Sequence, residues 1–442
     1  MPHSKRLPIL AAALFVTLGA IASPASAAKA KPKKPSAAKR PAVKAPKAAS
    51  INAYDVFLAA TKLAVDQQKV GFAVSKNHNS GNPLDHVYTL EEKTQLIQEN
   101  APALAKLREG FAYTYHNPPV LSFTTMMPYY KEFRAMARLL ALEADVANEK
   151  KDTRTAINSS LDAIQLGEMI QRDSPVIGML VGVACQAIGR RPLHDMIITP
   201  DFGADGTKEG AQRLSRIMAL HVPYTEILKI EKQANITSAK ELYSHPSIAV
   251  QAAQTAGGND DSNGQEEAAR QMFAMMLQSD KDQVITSYEN QMDSLIERYG
   301  QPYDSTLIPI SRQSDPLSLS TYKLIYESRF KDVTSEMSSR CVMTMLALRA
   351  YFADHKSYPT TLEALTPEYL PRVPGDPFAQ DAPLHYSVTG DGLNGYSLYS
   401  IGPDKNDDGG NPAVNPSAKS ENTKMILYPD SLGDFNAFLN HY

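Results

Sequence analysis

Tyr358 to Asn411 reads YPTTLEALTPEYLPRVPGDPFAQDAPLHYSVTGDGLNGYSLYSIGPDKNDDGGN, and this stretch decides how the last third of the chain folds. Thr360 with Glu363 predicts a capping box for a short helix carrying Leu362 and Leu365, which Pro367 and Pro371 stop. Leu384, Tyr386 and Val388 alternate as strand residues do, and Tyr396 to Ile401 reads as a second strand. Gly390 to Gly395 is literally G-x-G-x-x-G. A dinucleotide site needs that motif between a strand and a helix, and here it lies between two strands, so it reads as a hairpin turn. Met425 to Tyr428 is a candidate third strand.

Upstream, Tyr322, Tyr326, Phe330, Val333, Met337, Cys341, Met345, Leu348 and Phe352 recur three or four apart. They predict one long helix over about 318–355 with a continuous buried face. The three prolines between Pro302 and Pro316 mark the boundary before it.

Asp404-Lys405-Asn406-Asp407-Asp408-Gly409 matches the first six positions of a D-x-[DN]-x-[DN]-G calcium loop. A hard cation takes six to eight oxygens, and Asp404, Asn406 and Asp408 offer three, with Asp391 a further candidate. The twelfth position is Asn415 rather than Glu, so this is not an EF-hand. The alternative is a solvated acidic turn, since Asp, Asn and Gly are what surface turns use.

The order long helix, Tyr358-Pro359, Asp376-Pro377-Phe378, Tyr386, Tyr396, Ser400-Ile401-Gly402-Pro403-Asp404 and Gly409-Gly410 resembles the C-terminal part of the major pseudopilin of type II secretion, over about 318–411. The resemblance implies a small α+β domain of long helix plus short antiparallel sheet, calcium held in the C-terminal loop, and a link to secretion or the cell envelope. The chain departs from that family at its start. It has an ordinary export signal in place of a short basic leader, and Tyr, Ser, Arg and Glu line the helix where the family has an apolar anchor.

From Ile51 to about Asp315 the signals are helical. Phe133, Met136, Ala137, Leu140, Ala144 and Ala147 follow the i, i+3, i+4, i+7 pattern, and Asp152 is the expected N-cap of a helix carrying Ile157, Leu161 and Ile164. Ser174-Pro175 is the expected start of another, with Ile177, Leu180, Val181, Ala184 and Ile188 as its buried stripe. Gly257 to Glu267 reads as a polar loop. The fold class expected is mainly α: an irregular helical bundle over 51–315, then the pseudopilin-like α+β domain over 316–442.

Lys5 and Arg6, the apolar run Ile9 to Ala22 and Ala25-Ser26-Ala27 read as a signal peptide over 1–27, and no later stretch reads as a membrane span. Residues 28–50 are a Lys/Pro/Ala tract expected to be a disordered spacer. Ten of the 45 Lys and Arg, and none of the 48 acids, lie in the first 50 residues, so the body carries a net charge of −13. An acidic body argues against a nucleic-acid partner and leaves a protein or envelope polymer.

No G-x-S-x-G, H-E-x-x-H, C-x-x-C or phosphate-binding loop occurs. His78 and His86 with Asp85 form a weak metal candidate, and Tyr113, Tyr115, Tyr129 and Tyr130 read as core packing or an aromatic groove. Cys185 and Cys341 sit in apolar helical patterns, where a thiol behaves as a small hydrophobe. The expectation is an exported, non-enzymatic binding or scaffold protein of the periplasm, envelope or exterior. The alternative is an envelope hydrolase whose carboxylates converge within the helical region.

Overall fold

A computed structural model describes residues 51–74, 86–120, 127–245, 274–304, 315–390, 392, 395–414, 431 and 433–438. The expected signal peptide, the basic tract, the 257–267 loop, the 425–428 strand, Asp391, Asn415, His78 and Asp85 lie outside them. The described residues are mainly helical, with a small antiparallel sheet near the C-terminus.

The helices are α1 Ala53–Leu63, α2 Gln67–Val74, α3 Leu90–Glu99, α4 Ala101–Gly110, α5 Tyr129–Glu149, α6 Thr153–Met169, α7 Val176–Ile197, α8 Thr207–Met218, α9 Tyr224–Ser244, α10 Lys281–Tyr299 and α11 Pro316–His355. Their starts are chemically marked. Asn52, Asp152, Asp280 and Asp315 each accept a first-turn amide with the side chain, and Thr89 with Glu92 forms a complete capping box. Asp152 is the cap expected from sequence.

Two other expected caps are absent. Ser174 does not cap α7: its hydroxyl donates to Ile170 O at 2.7 Å and closes the preceding helix. The amide of Val176 instead donates to Glu231 Oε2 at 2.9 Å, so a buried carboxylate from α9 sits at the positive end of α7. The segment Leu362–Leu365 is a 3-10 turn whose N-cap is Thr361, without a side-chain cap bond, so the Thr360–Glu363 capping box does not form.

The expected stripe of α7 is also corrected. Val181 is buried, but Ile177, Leu180, Ala184 and Ile188 are only partly so, while Gly178, Met179, Gly182, Cys185, Gln186 and Gly189 are buried. The face turned inward is the small one, because it meets α6 backbone to backbone. A Cβ on Gly182 would lie 2.5 Å from Gly167 O. Contrary to the sequence reading, α7 is long and apolar enough to cross a membrane, and 61% of that stretch is buried within this fold.

Strand β3, His385–Val388, pairs antiparallel with β4, Tyr396–Ser400, and β4 pairs with β5, Phe435–Asn436. The register Tyr386↔Leu398 and Val388↔Tyr396 fits the expected hairpin, and Gly395 N closes the turn on Gly392 O at 3.1 Å. A second small ladder joins β1, Gly375–Asp376, to β2, Ala382–Pro383.

One hydrophobic cluster takes Ile157 and Leu161 of α6, Leu193 of α7, Leu214 of α8, Met337, Met345 and Leu348 of α11, and Leu365, Phe378, Leu398 and Phe435 of the C-terminal segment. The expected face of α11 is buried from Phe330 to Leu348, while Tyr322, Tyr326 and Phe352 are partly exposed at its ends. Cys341 belongs to this cluster and Cys185 to another built on α1, α4 and α5. Both thiols are free and buried.

Candidate functional site

Among the described residues, buried acids gather polar partners at several places, two of which lie beside a loop or a groove. The first is the acidic loop that follows β4. Gly402, at φ 69°, lets the chain turn against the 433–434 backbone, where a Cβ would meet Gly433 O at 2.2 Å. Asp404 then uses both oxygens on amides: Oδ1 accepts from Asn406 N at 3.2 Å and Oδ2 from Gly433 N at 2.8 Å. Asp407 accepts from Tyr399 Oη and Gly409 N, each at 3.0 Å, and its carboxylate sits 3.3 Å from His385 Nδ1.

Asp434 organises this loop. It is fully buried, and its Oδ2 accepts from Asp408 N at 3.0 Å and Gly410 N at 2.7 Å. Its Oδ1 is buried without a hydrogen-bond partner among the described residues. Burial holds its pKa above the usual carboxylate range, Asp407 and Asp408 push it further up, and the two amides act the other way.

Of the residues expected to bind a cation, Asp404 is thus engaged with backbone, Asn406 and Asp408 are exposed, and Asp391 is outside the described residues. Among the described residues, no three His, Cys, Asp or Glu side chains converge as a metal group. The loop reading missed Asp434, which follows Asp408 by 26 positions. The Asp376-Pro377-Phe378 step has a plain role. Asp376 is fully buried, accepts from Phe378 N at 2.8 Å, Ser400 Oγ at 2.9 Å and Ile401 N at 3.0 Å, and so ties the segment after α11 to the end of β4.

The second place is a buried polar seam where α6, α7 and α11 meet. Arg190 of α7 is 2% exposed, and its Nη1 donates to Gln186 Oε1 at 3.1 Å and to Ser335 and Ser339 Oγ of α11 at 3.0 Å. Burial lowers its pKa to about 10, with Glu168 opposing. His221, just after α8, lies between two acids. Nδ1 is 3.6 Å from Glu168 Oε2 and Nε2 is 3.7 Å from Asp332 Oδ1. Burial works against its charge, but Asp332 and Glu168 outweigh it and raise the imidazole to about 10. Arg329 pairs with Asp332 at 2.7 Å.

Glu168 reaches from this seam into a groove of about 490 Å³ between the 111–115 segment, α6 and α8. Tyr113, Arg172, Arg213, Arg216 and Ile217 also line it. Arg213 is committed to Asp162 Oδ1 at 2.5 Å and Gln165 Oε1 at 3.0 Å. A larger groove of about 750 Å³ lies between α2, α5 and α7, lined by Phe72, Lys131, Arg138 and Arg191.

Sequence reasoning did not single out Glu168, His221 or Arg190. Each belongs to a different helical or turn segment and to no motif, and only the crossing of helices brings them together. Of the tyrosines that were singled out, Tyr115, Tyr129 and Tyr130 are buried around Asn117 Oδ1, at 3.0, 3.3 and 3.4 Å, and Tyr113 lines the groove. His86 pairs with Glu92 at 2.8 Å on the surface. No family model, curated protein or solved structure matches this chain.

Proposed function

We propose that this is an exported, non-enzymatic binding or scaffold protein, in which the helical bundle faces the partner and a pseudopilin-like α+β unit is tightened by calcium. The observation that carries the calcium reading is Asp434. Among the described residues its Oδ1 is buried without a hydrogen-bond partner, at the base of the loop that carries Asp404, Asn406 and Asp408. An uncompensated buried carboxylate oxygen costs a few kcal/mol, and a hard cation satisfies it. Asp434 and Asp404 would hold the ion, with Asn406 and Asp408 as further oxygen donors.

Few charged ligands imply weak affinity, of order 10⁻⁴ M. At 10 mM calcium, linkage then gives about 2.7 kcal/mol of added stability, an upward shift of about 4 °C for a chain of this size. The test is a thermal melt of the protein with calcium and with chelator, beside Asp434→Asn and Asp404→Asn. The shift is expected in the parent and lost in both variants; no shift, or a shift kept in both, removes calcium from the reading.

The hydrolase alternative draws on Glu168, whose pKa burial raises within a groove. A two-carboxylate mechanism needs a partner acid, however, and Glu168 is the one acid among that groove's lining residues. The geometry favours binding.

A further inference from the structure

Both α2 and α7 pack on α5, and the groove of about 750 Å³ between the three helices is lined by unlike chemistry. Lys131 and Arg138 come from α5 and Arg191 from α7; Lys131 and Arg191 are exposed and Arg138 is half-buried. None of the three has an ion-pair partner among the described residues. From α2 come Phe72, 56% exposed, and Val74. Cations outnumber acids three to two along the lining, on a body of net charge −13. Of the two acids, Asp145 has an interaction of its own, and Glu132 lies in the first turn of α5, where the helix dipole offsets its charge. Along α5 the lining runs from Lys131 to Asp145, a trough of about 20 Å at about 1.5 Å per residue.

Neither a simple anion nor a purely apolar ligand suits this trough. An anion on the guanidinium groups would leave Phe72 in water, and an apolar body would desolvate three cations without a counter-charge. An extended chain points successive side chains to opposite sides at about 3.3 Å per residue. About six residues would therefore fill the trough, with carboxylates toward α5 and α7 and apolar side chains toward α2. Arginine holds a carboxylate through paired donors, which favours carboxylates over other acceptors here. We infer that the groove between α2, α5 and α7 docks a short acidic peptide, an extended segment of a partner protein in which Asp or Glu alternates with large apolar residues. This site rests on the binding reading above, whose surface and partner chemistry it names, and it needs neither calcium nor the acidic loop.

The experiment is fluorescence anisotropy of the full chain with labelled peptides whose ends are blocked: Glu-Leu-Glu-Phe-Glu-Leu, the same peptide with Gln for Glu, and the same peptide with Ala for Leu and Phe. Loss of the charge-assisted bonds, or of the apolar contacts, is expected to weaken binding about tenfold or more. Gly71 lines the groove, and a Cβ there meets nothing within 4 Å, so Gly71→Leu adds bulk in the groove without disturbing the packing. That variant should lose about tenfold or more toward the acidic peptide. In Arg138→Gln/Arg191→Gln the preference for Glu over Gln should collapse, while that for Leu and Phe over Ala survives. The comparison of the peptides on the parent decides the matter even where this double variant fails to fold. No binding at millimolar concentration, or equal binding of all the peptides, overturns the inference. Binding unchanged in Gly71→Leu also overturns it, by placing the peptide elsewhere on the bundle, but leaves the binding reading standing. Self-association of the parent that is lost in Gly71→Leu, with no peptide bound, would give the groove to a second copy of the chain and overturn the peptide. The calcium melt reads the acidic loop separately, so the two failures are distinguishable.

Discussion

Replacing Gly182 by Ala sets helix propensity against helix packing, and the structure says which wins. In a helix interior, Gly→Ala ordinarily stabilises by about 1 kcal/mol. At Gly182 the new methyl would sit 2.5 Å from Gly167 O and 2.5 Å from Gln171 Cγ, while real Cβ atoms essentially never come within 3.0 Å of such neighbours. The side chain of Gln171 has limited room, being 1% exposed, and the Gly167 carbonyl belongs to the backbone of α6. The two helices must therefore separate by at least about 0.5 Å along their contact, loosening a core packed at crystal-like density. Overpacking costs about 1–3 kcal/mol, and a backbone obstacle places this case at the upper end. Subtracting the propensity gain leaves a net loss of about 2 kcal/mol, a fall in Tm of about 3 °C for a chain of this size. The control is Gly71→Ala in α2, where a Cβ meets nothing within 4 Å, so propensity alone should raise Tm by about 1 °C. Differential scanning calorimetry of the two variants reads the contrast directly. If Gly182→Ala raises Tm as Gly71→Ala does, the close α6–α7 crossing is wrong.

The seam and the thiols give further expectations. His221 has a folded pKa of about 10 against about 6.5 unfolded, so its contribution is full below pH 6.5 and drains away as pH rises through 10. Tm should fall between pH 7 and 10, and His221→Gln should flatten that slope; an identical slope would remove His221 as its source. Burial raises the Cys185 thiol to about 12 and Cys341 higher still, so neither is a nucleophile at pH 8. A thiol-reactive dye should label no described cysteine in the folded protein and two per chain in denaturant; rapid labelling of the native protein would contradict the burial.

Much of the helical framework was legible because its signals are local. The Phe133 to Ala147 spacing gave α5, Asp152 marked the start of α6, and the Tyr322 to Phe352 spacing gave α11 nearly to the residue. The β3–β4 hairpin followed from alternation, since successive side chains in a strand must point to opposite faces. Where two local signals competed, spacing misled. Ser174-Pro175 looked like a cap, but Ser174 finishes one helix while Glu231, 55 positions along, begins the next.

Sequence by itself determined the periodic elements, their hydrophobic faces where large side chains mark them, and the acidic turn at 404–409. Tertiary structure alone decided which face of α7 is inside, because glycine carries no hydrophobic signal and its value lies in how closely another backbone can approach. It alone placed Asp434 beneath the acidic loop and Glu168 beside His221, because such pairings depend on through-space distance between residues that share no period, turn or motif. Local chemistry is written into neighbouring residues; a buried charge acquires its partner, or lacks one, only when the helices cross.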